Sequence, residues 1–271
     1  MPLLGWIILF TAVGGIASAA FAGLFLLVPE QTGTRMLPHF VSFATGALIG
    51  AALLGLLPEA MEGVGPGGAH AIGVALVVGL GVFFIIEKLV LWRHAHSHDG
   101  EEHGGHNPQH GAHDGHAHDH GREGVAGVLV LIGDSIHNTL DGILIAAAFL
   151  TNVPLGLVTT LAVAAHEIPH RMGDFVILLH AGISRRRAML LNMATGLTSV
   201  LGGVVAYFGL KRAQGALPYA LALAAAGFLY IAVAGLIPGL HRRADPRTSL
   251  AQVLLMGLGV GVIAWAESLT Q

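Results

Sequence analysis

The sequence predicts an all-α, polytopic membrane protein: eight transmembrane helices forming a single transmembrane domain over residues 1–271. Three observations carry this. Hydrophobic residues make up 54% of the chain and charged residues 11%, where a soluble domain has about 25% charged. Mean hydropathy is +0.72. Eight apolar stretches reach the roughly 20 residues that a helix needs to cross the bilayer core, and all but one of the connections between them are short.

The spans are expected at 3–28, 39–60, 70–92, 124–150, 154–181, 188–210, 216–240 and 249–269. The first has no basic leader and runs too long for a signal peptide, so it is expected to be retained. The second closes on Gly55-Leu56-Leu57-Pro58-Glu59. The third leads into a polar, histidine-rich segment, 93–122, expected to be disordered because it has no apolar periodicity. The fourth and fifth are joined near Thr151–Pro154 and form a hairpin. The sixth carries Asn192, Thr195 and Ser199 at i, i+3 and i+7, a neutral polar stripe fit either for the wall of an ion path or for close helix packing. The seventh closes on Gly235-Leu236-Ile237-Pro238-Gly239. Its likeness to the end of the second span, which runs in the opposite direction, predicts an inverted repeat: spans 1–3 and 6–8 around the 4–5 hairpin. The 39 glycines suit close helix contact. Without cysteine, the chain has neither disulfides nor thiolate ligands.

Loop charge predicts the orientation. Arg35, Lys88, Arg93, Arg122, Arg185, Arg186, Arg187, Arg242, Arg243 and Arg247 fall on one side, ten in all, against Lys211 and Arg212 on the other. The positive-inside rule puts the ten in the cytosol, with both termini outside and the histidine-rich loop cytosolic, in a plasma or inner cell membrane. The partners expected are the lipid bilayer and a divalent ion, with no nucleic acid.

The chemistry lies in the hairpin. His137-Asn138-Thr139-Leu140-Asp141 sits mid-span on one helix and His166-Glu167-Ile168-Pro169-His170 on the next. The i,i+4 spacing sends His137 and Asp141 to one face, and likewise His166 and His170. An ionisable group at the centre of a span costs about 2.5–3.5 kcal/mol even on insertion scales. Four in register therefore point to a metal site rather than to polar glue between helices. One ion would take His137, Asp141, His166 and His170; a second would take Asn138, Glu167 and a shared oxygen of Asp141. Imidazole with carboxylate suits Zn²⁺, Fe²⁺, Mn²⁺ or Cd²⁺. The metal is expected as transported substrate, not as cofactor.

These motifs, His137-Asn-x-x-Asp141-Gly142 followed by His166-Glu-x-Pro-His170, resemble those of the ZIP (Zrt/Irt-like) divalent-metal transporters, and the resemblance covers essentially the whole chain. It implies a binuclear centre between spans four and five, and metal moved toward the cytosol. It also implies a homodimer, and a bundle of spans one, four, five and six that moves against the other four. Arg171 stands where many members carry glutamate, and Ser199 where some do. Arg171 is one turn from Glu167, and the pairing expected there predicts one strong metal site beside a weak or vestigial one.

Two rivals share these residues. His166-Glu167-x-x-His170 is formally the HExxH helix of zinc metalloproteases, but proline inside it and the matched half-site on span four argue against hydrolysis. Cation-diffusion-type exporters also use histidine–aspartate helices, with six spans and cytosolic termini. In the loop, His94, His96, His98, His103, His106, His110, His113, His116, His118 and His120 are expected to bind metal weakly and redundantly, as a buffer or exit sensor.

Overall fold

A computed structural model describes residues 2–24, 30–96, 117–241 and 246–269, and among them all regular structure is helical. There are eight helical passes. α1 is Leu3–Leu24. α2 runs Glu30–Gly50, Ala51–Leu56 and Leu57–Val64. α3 is Ala69–His96, α4 Ala117–Thr151, α5 Val153–His180 and α6 Arg185–Arg212. α7 comprises Leu217–Tyr230, Ile231–Leu236 and Ile237–Leu240, and α8 is Pro246–Ser268. Seven of the eight are long and apolar enough to cross a membrane. The exception is α5, which carries most of the polar cluster described below.

α3 and α4 reach further than the sequence suggested. Arg93–His96 and Ala117–Arg122 are helical backbone, so the segment expected as loop over 93–122 is shorter at both ends. His98, His103, His106, His110, His113 and His116 lie outside the described residues, as do the side chains of His94, His96, His118 and His120.

Burial follows a lipid solvent. Val77 on α3, Val205 on α6 and Val253 on α8 are 68%, 70% and 66% exposed, and each belongs to a face of large apolar side chains. In water such faces would be aggregation sites; hydrocarbon leaves them at no cost.

α4 packs on α5 and α6, and α1 on α5 and α6; α2 pairs with α8, and α3 with α7. Exchanging α1 with α6, α2 with α7, α3 with α8 and α4 with α5 turns this set of neighbours into itself. The topology thus has the symmetry of the inverted repeat. The repeat is also visible in the backbone. α2 widens to π-helix over Ala51–Leu56 and α7 over Ile231–Leu236, and each wide turn is followed by a proline, Pro58 or Pro238. Proline lacks the N–H that an α-turn needs and clashes with the carbonyl four residues back; the wider turn absorbs both.

Close backbone approach holds each half together. A Cβ on Gly142 of α4 would lie 1.9 Å from the Ser199 carbonyl oxygen on α6, and one on Gly46 of α2 would lie 2.0 Å from that of Met256 on α8. At the hairpin tip, Asn152 caps α5 by accepting from the Leu155 N–H at 2.7 Å, and its amide donates to Glu59 at 2.7 Å.

Two ends of the bundle can be told apart. The end of α3, the start of α4, the Ala181–Ser184 turn, the end of α7 and the start of α8 lie at the end flanked by the arginine runs, here the basic end. Toward the opposite end the hairpin is closed. Ile145, Ala146, Ala147, Ala148, Ala162 and Val163 are fully buried. Phe149 packs against Phe10 with the rings tilted, and Phe10 stacks on Trp6, at centroid separations of 5.4 and 5.5 Å.

Candidate metal centre

α4 and α5 cross with their polar faces together. His137, Asp141, His166 and Glu167 each bring one ligand atom to a common point, all within 4.8 Å of one another. His137 Nε2 lies 3.3 Å from His166 Nε2, 3.7 Å from Asp141 Oδ2 and 3.5 Å from Glu167 Oε1; His166 Nε2 lies 3.5 Å from Asp141 Oδ2. Asp141 Oδ2 and Glu167 Oε1 are buried without a hydrogen-bond partner. A buried carboxylate oxygen without a donor is costly, and two aimed at one point with two imidazole nitrogens fit a cation.

The protonation pattern agrees. His166 Nδ1 lies 3.1 Å from the Ala162 carbonyl oxygen, which can only accept, so Nδ1 carries the proton and Nε2 offers its lone pair to the centre.

The converging set differs from the spacing-based one: Glu167 stands where His170 was expected. His170 turns Nδ1 to Asp174 Oδ2 at 3.2 Å, and its ring stacks on His137 at 5.2 Å. Proline at 169 leaves α5 helical from Val153 to His180, so residues 166 and 167 lie on adjacent positions of one broad face.

The second ion's expected position holds a guanidinium. Arg171 is fully buried. Its Nε donates to Glu167 Oε2 at 2.8 Å, one Nη to Asp134 Oδ2 at 3.1 Å, to the Asn192 carbonyl at 2.7 Å and to Thr195 Oγ1 at 2.8 Å, and the other Nη to Asn138 Oδ1. Asn138 is used up: its amide nitrogen donates to Asp134 Oδ1 at 2.9 Å and to the Asp134 carbonyl at 2.7 Å. Asn138 is therefore not free to ligate. Asn192 and Thr195, read from the sequence as either the wall of an ion path or close helix packing, both hold Arg171. Ser199 lies deeper, its hydroxyl buried without a partner.

A cavity of about 320 Å³ lies beside the centre, bordered by His137, Asp134, His170 and Asp174 and, across it, by Glu87 of α3 and Tyr230 of α7. Tyr230 donates to Glu87 Oε2. His137 is 20% and His170 43% exposed on this side. Asp134 and Asp174 were not placed in a site by sequence; the signal was there, since Asp134 is i−4 from Asn138 and Asp174 i+4 from His170.

A family model described as ZIP zinc transporter matches residues 3–267. Zinc transporter ZIP13 of Pongo abelii is 32% identical over 92% of this chain and 75% of its own. That of Mus musculus is 35% identical, over 88% and 72%. Zinc transporter ZIP4 of Homo sapiens is 33% identical over 88% of this chain and 44% of its own length.

Proposed function

The chain belongs to the ZIP zinc transporter family, and from that premise we propose that it carries divalent transition-metal ions, Zn²⁺ foremost, across a cell membrane through the pocket of His137, Asp141, His166 and Glu167. One observation carries this: four ligand atoms from two facing helices converge deep in an apolar bundle, and the two carboxylate oxygens among them have no other partner. Transport requires binding that is specific yet reversible. Neutral imidazole and carboxylate supply it, because protonation or a change of ligand geometry releases the ion.

The basic end is the cytosolic one, with both termini outside, as the ten-to-two distribution of Lys and Arg between the two sides supports. The conformation described is then inward-facing: the cavity runs from His137 past Asp134 and Asp174, on the basic side of the centre, and the aromatic cluster at Phe149 and the buried alanines close the way out. Uptake follows when α1, α4, α5 and α6 shift against the other four helices, so that the closed and open ends exchange. The functional particle is a homodimer, as the resemblance implies; Fe²⁺, Mn²⁺ and Cd²⁺ are further cargo.

Proteolysis through the HExxH pattern would need Glu167 free to activate water. Here one of its oxygens is held by Arg171 and the other faces the histidines, which favours a ligand over a base.

The test is saturable metal uptake into proteoliposomes. His137→Ala and Asp141→Ala should abolish it while the chain still inserts; undiminished uptake in both would overturn the proposal.

A further inference from the structure

A second group of donors lies between the centre and the basic end. Asp134 of α4 and His170 and Asp174 of α5 bring their ligand atoms within 4.8 Å of one another. His170 Nδ1 is 3.2 Å from Asp174 Oδ2 and 3.9 Å from Asp134 Oδ1. α4 runs away from the basic end and α5 toward it, so Asp134 precedes His137 and Asp174 follows His166 in the same spatial sense. At 1.5 Å per residue the group sits about 8 Å nearer the basic end than the four central ligands.

We propose that Asp134, His170 and Asp174 form a separate divalent-metal site, which receives the ion as it leaves the centre. The inference takes the centre to be a cargo site, but it concerns different side chains and a different point in the bundle.

Three features support it. The group is built on rigid helix, with two buried carboxylates. Asp134 spends one lone pair of each oxygen, on Asn138 and on Arg171, and a carboxylate has about four such positions. Finally, the group borders the cavity that also reaches His137. The stacked rings of His137 and His170 mark the hand-off: each belongs to one site, and their centroids are 5.2 Å apart.

The chemistry differs from that of the centre. One imidazole and two carboxylates, one of them already facing a guanidinium, hold a divalent ion more weakly than two imidazoles and two otherwise free carboxylate oxygens. A weaker site with water as remaining ligand favours onward release.

The chain has no cysteine, so Asp174→Cys introduces a unique thiol that is itself a good Cd²⁺ ligand. In the full chain, Cd²⁺ at about ten times its Kd should slow alkylation of that thiol about tenfold and give a cadmium–thiolate absorption. Adding His170→Ala should remove the protection; adding His166→Ala, which disables the centre, should leave it. No protection, protection that survives His170→Ala, or protection lost with His166→Ala would each overturn the proposal. Should Asp174→Cys fail to insert, anomalous scattering from Cd²⁺ in crystals of the unaltered chain decides: two resolved peaks support the site, and one at the centre alone overturns it. Both readouts are of binding, so a failure of transport in the central variants leaves this outcome distinct.

Discussion

Arg171 and Glu167 lie one turn apart on α5, with Nε 2.8 Å from Oε2, while the other oxygen of the same carboxylate stands 3.5 Å from His137 Nε2. One carboxylate is thereby divided between a fixed cation and the metal pocket. The guanidinium also neutralises Asp134, so a tethered positive charge sits where a second ion was expected.

Removing that charge should expose two buried carboxylates. Arg171→Ala is expected to destabilise the protein by about 3–5 kcal/mol, the usual cost of leaving a buried ionic partner alone. Added Zn²⁺ should restore part of the loss, more than it stabilises the unaltered chain. Thermal melting in detergent with and without metal checks both.

Arg171→Glu should go further and build the missing site. Glu167, Asn138, Asp134 and the new carboxylate would face one another, and the variant should bind one more divalent ion per chain than its parent. Metal content measured side by side on the full chain tests this; equal content contradicts it.

Acid should empty the centre. Binding needs both Nε2 atoms unprotonated, and protons compete for them as pH falls. Affinity should therefore fall with decreasing pH, approaching about two protons taken up per ion released. Calorimetric titration in buffers of different ionisation enthalpy reads that number.

The closed end should weaken when its aromatic stack is cut. Phe149 is almost fully buried and packs against Phe10. Phe149→Ala is expected to cost about 3–5 kcal/mol. In the same background a thiol at the buried position 145 should be alkylated faster from the side of the hairpin tip than in the parent; unchanged labelling would show that the stack does not close the route.

The α4–α6 contact offers a packing test. Gly142→Ala puts a methyl group 1.9 Å from the Ser199 carbonyl oxygen, backbone that cannot turn aside. The helices must separate, and melting should drop by more than a lipid-facing change such as Val205→Ala produces.

Much of this architecture is readable from the chain because lipid imposes simple demands: length, apolarity and an asymmetry of Lys and Arg. The hairpin's polar residues are equally visible, since nothing else excuses His137, Asp141 or His166 at such depth. What could not be read was which side chains converge. Spacing put His166 and His170 on one face, but a face of an α-helix is broad, and it is Glu167, beside His166, whose oxygen reaches the common point. Arg171 was recognised as a partner for Glu167. Its grip on Asp134, Asn138, Asn192 and Thr195 depends on how α4, α5 and α6 approach, and that is set by glycine contacts such as Gly142 on Ser199, which no local pattern reveals.

Because Arg171 keeps one oxygen of Glu167, that carboxylate cannot chelate with both arms. The pocket offers an incoming ion four single points of attachment, two nitrogen and two oxygen. Zn²⁺, content with four neighbours, is fully clothed by them. Mg²⁺ and Ca²⁺, which demand six or more oxygens, would enter underdressed, with only two carboxylate oxygens to meet them, so the arginine that fills one metal position also filters what can occupy the other.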